Sequence, residues 1–272
     1  MSRYMPLSFT LASLIALAST SDAFAHCFVG ARFFPATLAT DDPCVADEMS
    51  LPTVSWSRTA DVPPAVESYS QDIAASDIGA VLDGLAIAEP AHLVGVSMGA
   101  ASVLQFALRC PARVRSITPV SIGTGSDATR EEHQAQMEET ARLIDEQGMA
   151  ARAAAMADAP NRHKLKDKDR AAYDSFIAEI SALSPLGSAS TMRGVQKRRP
   201  PLYAHEAAIR TLRVPALVVV GEDDAGCRKP SEFLARTLPM AELVVVPDTG
   251  HGVNLEEPAL FNARLLAFIE AH

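Results

Sequence analysis

Two uninterrupted apolar runs, Ala216-Leu217-Val218-Val219-Val220 and Leu243-Val244-Val245-Val246, constrain the fold more than any other feature of the chain. A strand with one wet face alternates apolar and polar side chains. A strand without that alternation must be covered on both faces, as in a parallel sheet held between layers of helix. His92-Leu93-Val94-Gly95 and the stretch from Val114 to Val120 read as two more such strands. Helical patterns separate them. Ile73, Ile78, Val81, Leu82 and Leu85 recur at helical spacing ahead of Pro90, and a second helical run extends from Ala100 to Leu108 before Pro111. Further helices are expected from Ser231 to Thr237 and from Pro258 to Ile269. Alternating strands and helices predict an α/β fold with a mostly parallel sheet.

The 272 residues are 48% hydrophobic, enough for the core of one such domain. Lys and Arg number 24 against 33 Asp and Glu, a formal charge of -9. That balance argues against nucleic acid, which needs clustered positive charge. Four cysteines without a CxxC pair, and no HExxH, point to neither a disulfide scaffold nor a metal site. No Gly-rich phosphate loop follows an early strand, so no organic cofactor is expected, and the partner implied is a small-molecule substrate.

The first residues read as an export leader. Arg3 precedes an apolar run from Pro6 to Ala18, and Ala23-Phe24-Ala25 resembles a cleavage site. The run is too short for a stable membrane span. A signal peptide at 1–25 would place the mature chain, starting at His26, in the periplasm or outside the cell; an unprocessed leader would leave it cytoplasmic. Residues 26–66 are irregular and broken by Pro35, Pro43, Pro52, Pro63 and Pro64. Cys27 and Cys44 lie there, close enough in sequence to pair across a short loop, while Cys110 has a helical context and Cys227 a loop context. From Asp127 to Ile209 the chain reads as a long helical stretch, broken near Pro160 and Pro185. Arg193 and Lys197-Arg198-Arg199 are expected in a solvated turn before Pro200-Pro201. His92, His133, His163 and His205 show no paired metal-ligand spacing.

Gly95-Val96-Ser97-Met98-Gly99 carries the chemistry. A serine between a strand and a helix must sit on a very tight turn to present its hydroxyl, and the flanking glycines permit the close backbone approach. The Met98 N–H, at the helix N-terminus, would face a developing oxyanion. The plainer reading makes Ser97 an ordinary helix N-cap. Two later features favour the nucleophile. Gly221-Glu222-Asp223-Asp224 puts carboxylates just beyond one strand, and Asp248-Thr249-Gly250-His251-Gly252 puts an imidazole beyond the next. In open parallel sheets such strand ends share one edge. A serine hydroxyl needs a base to take its proton, and an acid to fix that base's tautomer. Serine, acid, histidine is the chain order required.

With these motifs, and with Gly250-His251-Gly252-Val253-Asn254-Leu255-Glu256-Glu257-Pro258, the chain from about Ser68 to its end resembles the α/β-hydrolase superfamily, in its small esterase and lactonase branch. The resemblance implies a serine hydrolase that cleaves a small ester, lactone or related carbonyl compound through an acyl-enzyme. It implies Ser97 as nucleophile, His251 as base and Met98 as oxyanion donor. Asp224 is the implied acid, three residues after the glycine, with Asp223 as the alternative. It also divides the chain into a hydrolase core at 67–125 and 211–272 and a helical cap at 126–210, where Met137, Met149, Met156 and Met192 would pack. The segment before Val66 departs from the family. No His-Gly dipeptide precedes Ser97, and Phe28-Val29-Gly30-Ala31 is the one apolar piece ending in glycine that could supply a second oxyanion donor. That departure sustains a second reading, an exported, non-catalytic binding protein without a complete oxyanion hole.

Overall fold

The structure, a computed structural model, describes residues 69–272 with the exception of Asp158. The leader at 1–25, the irregular segment 26–66, the Cys27–Cys44 pairing and the donor expected at Phe28-Val29-Gly30-Ala31 lie outside the described residues.

Four strands form one parallel sheet in the order β1 (Ala91–Val96), β2 (Val114–Val120), β3 (Ala216–Gly221) and β4 (Ala241–Val246). The register pairs Ile117 with Ala216, Val120 with Val219 and Gly221 with Val246, so the carboxyl ends of β2, β3 and β4 finish along one edge. Successive side chains of a strand point to opposite faces. Ala216 and Val218 accordingly join one apolar cluster with Ile117, while Leu217 and Val219 join another with Val120 and Val246. The first face is covered by α1 (Gln71–Gly84) and α2 (Met98–Arg109), through Leu82, Val103, Leu104 and Phe106. The opposite face is covered by Phe261 and Phe268 of the C-terminal helix Pro258–Ala271.

β3 is buried along its whole length, as its unbroken apolar run requires. β4 departs from that expectation, because Glu242 is exposed and Leu243 is 40% accessible. It pairs only with β3 among the described residues, which makes it an edge strand there.

Between β2 and β3 lies a helical insertion. It begins with α3 (Arg130–Ala157), and continues through α4 (His163–Lys168), α5 (Arg170–Ala182) and α6 (Pro185–Thr191) to a π-helical turn at Met192–Gln196. Asp169 and Ser184 cap α5 and α6 through the backbone N–H groups of Ala172 and Gly187. The chain does break near Pro160 and Pro185. A third break, at Gly148, has no proline to announce it; there φ is 77° and ψ is -177°, which splits α3. The insertion has an apolar cluster of its own, built from Ile144, Met149, Leu165, Tyr173, Phe176 and Ile180. Met156 and Met192 pack against it, as expected of methionines filling irregular gaps.

Three local expectations are corrected. Helix α7 (Glu206–Ile209) is followed, after β3, by α8 (Ala225–Thr237), which starts six residues before Ser231 and carries Pro230 inside it. Cys227 therefore sits in a first helical turn rather than a loop, and it is buried. The basic turn is not simply solvated either. Arg193 donates to Glu138 and Asp145, Lys197 donates to Glu138, and Arg199 Nη2 donates to the Thr124 carbonyl. Of the four histidines, His133 is buried, with Nε2 2.9 Å from the Gln196 carbonyl oxygen. No helix among the described residues is long and apolar enough to cross a membrane.

Candidate active site

The turn at Ser97 is built by exclusion of side chains. A Cβ on Gly95 would lie 2.5 Å from the Gly99 carbonyl, so only glycine lets strand and helix approach this closely. Ser97 adopts φ 56° and ψ -109°, outside the regions that non-glycine residues favour. Its N–H donates to the Val120 carbonyl at 2.8 Å, which locks the turn onto β2. The hydroxyl makes no capping hydrogen bond to α2, so the plainer reading of Ser97 as an N-cap has no support in the geometry. The Met98 N–H stands at the first position of α2, where the first helical N–H groups lack intrahelical partners.

The acid loop and the histidine loop meet across a second glycine. A Cβ on Gly221 would fall 2.1 Å from the Gly250 carbonyl oxygen and 2.3 Å from that of Thr249. The Asp223 N–H closes the contact by donating to the Thr249 carbonyl at 2.9 Å. This juxtaposition carries Asp224 to the imidazole: His251 Nδ1 lies 2.7 Å from Asp224 Oδ2, and both residues are buried. Burial alone would raise the Asp224 carboxyl. The hydrogen bond and charge of His251 outweigh it, with Ser121 and Cys227 adding smaller effects, and the carboxyl is held below its ordinary value. Asp223 points elsewhere. It pairs with Lys164 of α4 at 3.1 Å, and its side chain is 46% accessible.

Four residues that the sequence reading passed over fix the histidine loop. Ser121, with φ 51°, donates from Oγ to the His251 carbonyl at 3.0 Å. Because Val120 beside it receives the Ser97 N–H, consecutive residues of β2 and its end hold both the serine turn and the histidine loop. The His251 N–H donates to the Asn161 carbonyl, at 3.1 Å, from the helical insertion. Glu256 lies in the short helix α9 (Val253–Glu256), and its carboxylate accepts the N–H groups of Gly250 and Gly252. Cys227 Sγ lies 3.0 Å from Thr124 Oγ1 and 3.8 Å from His251 Nδ1. Glu256 stood within a quoted motif without a role; nothing in the sequence pointed to Ser121, Asn161 or Cys227.

Asp224, Cys227 and His251 also bring their ligand atoms within 4.8 Å of one another. As a metal set they are poorly prepared. Burial and the Asp224 charge push the Cys227 thiol up, so it stays a neutral thiol, whereas metals bind thiolate. A buried carboxylate hydrogen-bonded to a buried imidazole instead holds the ring in one tautomer. It leaves Nε2 as the nitrogen able to accept a proton.

Comparison with known proteins supports the same family. The model described as "Alpha/beta hydrolase family" matches residues 17–264, which reaches further back than the motifs that begin near Ser68. Carboxylesterase YbfK of Bacillus subtilis is 26% identical over 192 residues, covering 70% of this chain and 60% of that protein's length. Among solved structures, MenH from S. aureus superimposes with a TM-score of 0.70 at 18% identity, over 80% of each chain. A thermophilic esterase from Thermogutta terrifontis does so with a TM-score of 0.67 at 21% identity, over 79% of this chain and 76% of that one.

Proposed function

The chain belongs to the alpha/beta hydrolase family, and from that premise we propose that it is a serine hydrolase of small esters, lactones or related carbonyl compounds. The observation that carries the reading is the 2.7 Å contact between His251 and Asp224, on a loop tied to the same strand end as the strained Ser97 turn. In this reading His251 Nε2 takes the hydroxyl proton as Ser97 Oγ attacks the substrate carbonyl carbon. Asp224 keeps the proton on Nδ1 and stabilises the imidazolium that forms. The Met98 N–H receives the oxyanion, and a preorganised donor of this kind is worth about 10²–10³ in rate. Collapse of the tetrahedral intermediate expels the alcohol, which takes its proton from His251, and leaves an acyl group on Ser97. Water activated by the same imidazole then releases the acid. Kinship to a protein named as a carboxylesterase supports the reaction class.

A fluorophosphonate probe and a chromogenic short-chain ester test the reading together. The probe is expected to label Ser97, and Ser97→Ala to lose both labelling and about 10⁵-fold or more in kcat. Equal turnover by wild type and Ser97→Ala would overturn it. A folded wild-type protein that neither labels nor turns over ester would favour the binding-protein reading instead.

A further inference from the structure

Cys227 is a buried group that the proton relay leaves unused. It is 0% accessible, yet among the described residues it belongs to none of the three apolar clusters, which a small core filler would join. Its neighbours are polar. Sγ lies 3.0 Å from Thr124 Oγ1 and 3.8 Å from His251 Nδ1, and an Asp224 carboxylate oxygen completes the group within 4.8 Å. Burial and the Asp224 charge keep the thiol protonated, so it has one hydrogen to place.

The carboxylate beside it has a free oxygen. Asp224 Oδ2 is taken by His251 Nδ1 at 2.7 Å, whereas Oδ1 is buried without a hydrogen-bonded partner among the described residues. A bare charged oxygen in such a place is costly, and nothing then stops the carboxylate from turning off the imidazole. The polar side chains that bear on Asp224 are those of His251, Ser121 and Cys227. His251 serves Oδ2. The Ser121 hydroxyl has a single hydrogen, and the His251 carbonyl receives it at 3.0 Å. Arg162 faces Asp224, and Arg199 faces Cys227, as charges without a hydrogen bond to either. The thiol is the donor that remains.

Thr124 decides which way that hydrogen points. Its carbonyl accepts Arg199 Nη2 at 2.7 Å, which holds the residue in place from the end of the insertion. Either atom of the Thr124–Cys227 contact is able to donate. A thiol that donated to Thr124 would leave the carboxylate oxygen bare, whereas a hydroxyl that donates to sulfur satisfies both, and a bond to a charged acceptor is the stronger one. We propose that Cys227 is a positioning residue for the acid: Thr124 donates its hydroxyl hydrogen to Sγ, and the thiol hydrogen turns toward the free oxygen of Asp224, holding the carboxylate with its other oxygen on the imidazole. The proposal rests on the hydrolase reading for what Asp224 does. The thiol bond itself can be read without turnover.

Cys227→Ala and Cys227→Ser isolate the donor, because the two side chains are close in size and only serine has a hydrogen to give. On a neutral chromogenic ester, Cys227→Ala is expected to lose about tenfold in kcat. The acid limb of its kcat/KM profile, which reports His251, should move to higher pH, since a carboxylate stripped of a donor holds the imidazolium more strongly. Cys227→Ser should restore most of the turnover and bring the limb back. Infrared spectra supply the second measurement. The S–H stretch that disappears in Cys227→Ser should lie at low, hydrogen-bonded frequency in wild type and rise in Asp224→Asn. That shift carries the test if Cys227→Ala does not fold, as judged by circular dichroism. Wild-type turnover in Cys227→Ala, equal losses in both variants, an unmoved acid limb, or a stretch indifferent to Asp224→Asn would overturn the proposal. Failure of the hydrolase reading looks different: wild type and Ser97→Ala would turn over ester equally, while the infrared shift would remain.

Discussion

At the carboxyl edge of the sheet the histidine loop is held chiefly by side chains bonded to its backbone, whereas in the insertion between β2 and β3 ion pairs join side chain to side chain. Glu256 grips two N–H groups of the histidine loop and Ser121 grips its carbonyl, so the imidazole is fixed through the main chain that carries it. In the insertion, Glu138 is shared by Arg193 and Lys197, and Lys164 reaches both Asp223 and Asp248. The first arrangement suits proton transfer, which tolerates little misplacement of the reacting groups. The second ties helix to helix and, through Lys164, the insertion to the acid and histidine loops. The two regions have separate apolar clusters and are joined by the Asn161 carbonyl that accepts the His251 N–H and by the pairs of Lys164 with Asp223 and Asp248.

The largest expected effect that would break this division is Asp224→Asn. An amide at that position can favour the wrong imidazole tautomer, and kcat on a neutral chromogenic ester should fall about 10⁴-fold. The same variant alters acid stability. Because the Asp224 carboxyl is held below its ordinary 3.8, its contribution is present above that pH and lost as pH falls through the lower folded-state value. Thermal melts from pH 7 down to pH 2 should show a steep acid limb in wild type and a shallower one in Asp224→Asn. Retention of more than a tenth of wild-type kcat would break the assignment of acid to this edge.

Ile144→Ala comes next and tests the insertion as a separate body. Ile144 is 1% accessible within the insertion's own cluster, and truncating such a side chain costs about 2–5 kcal/mol. Denaturant unfolding should show that loss, while turnover of the neutral ester below the transition changes far less than in Asp224→Asn. A loss of turnover comparable to that of Asp224→Asn would mean that the two regions are not separable.

How much of this was legible in the chain follows from how local each cause is. The four strands are visible as short apolar runs set between helical patterns, although only β2 and β3 are buried along nearly their whole length. The Ser97 turn is visible because its glycines are adjacent in sequence to the serine they serve. β4 misleads, since an apolar run does not say which strands flank it. The Gly148 break is silent because a lone glycine inside a helical pattern is usually tolerated. Least legible are the pairings across distance. Glu256 reaches back to Gly250, and Ser121 bonds a carbonyl 130 positions away.

Glu256→Gln sharpens the comparison from the side of the sheet. The carboxylate is 5% accessible and receives two backbone donors, so an amide weakens charge-assisted bonds in a buried place. The expected cost is about 1.5–3 kcal/mol in unfolding free energy, with a lower kcat because the imidazole is less firmly held. Unchanged stability together with unchanged kcat would show that the loop is fixed by Ser121 and Asn161 alone.

The smallest effect is expected at Asp223, one residue from the most sensitive acid. Asp223 and Asp224 leave the same turn after β3, yet one faces Lys164 of α4 across a partly exposed ion pair and the other faces His251 in the interior. Exposed pairs of this kind contribute about 0–1 kcal/mol, and Lys164 keeps Asp248 as a second partner. Asp223→Asn should therefore shift unfolding by no more than about 1 kcal/mol and leave turnover of the neutral ester close to that of wild type. The comparison is strict because the two variants differ by one position and share the same chemical change. If Asp223→Asn lost turnover as deeply as Asp224→Asn, the acid would have to be reassigned, and the line between the reacting edge and the insertion would run through the wrong side chain.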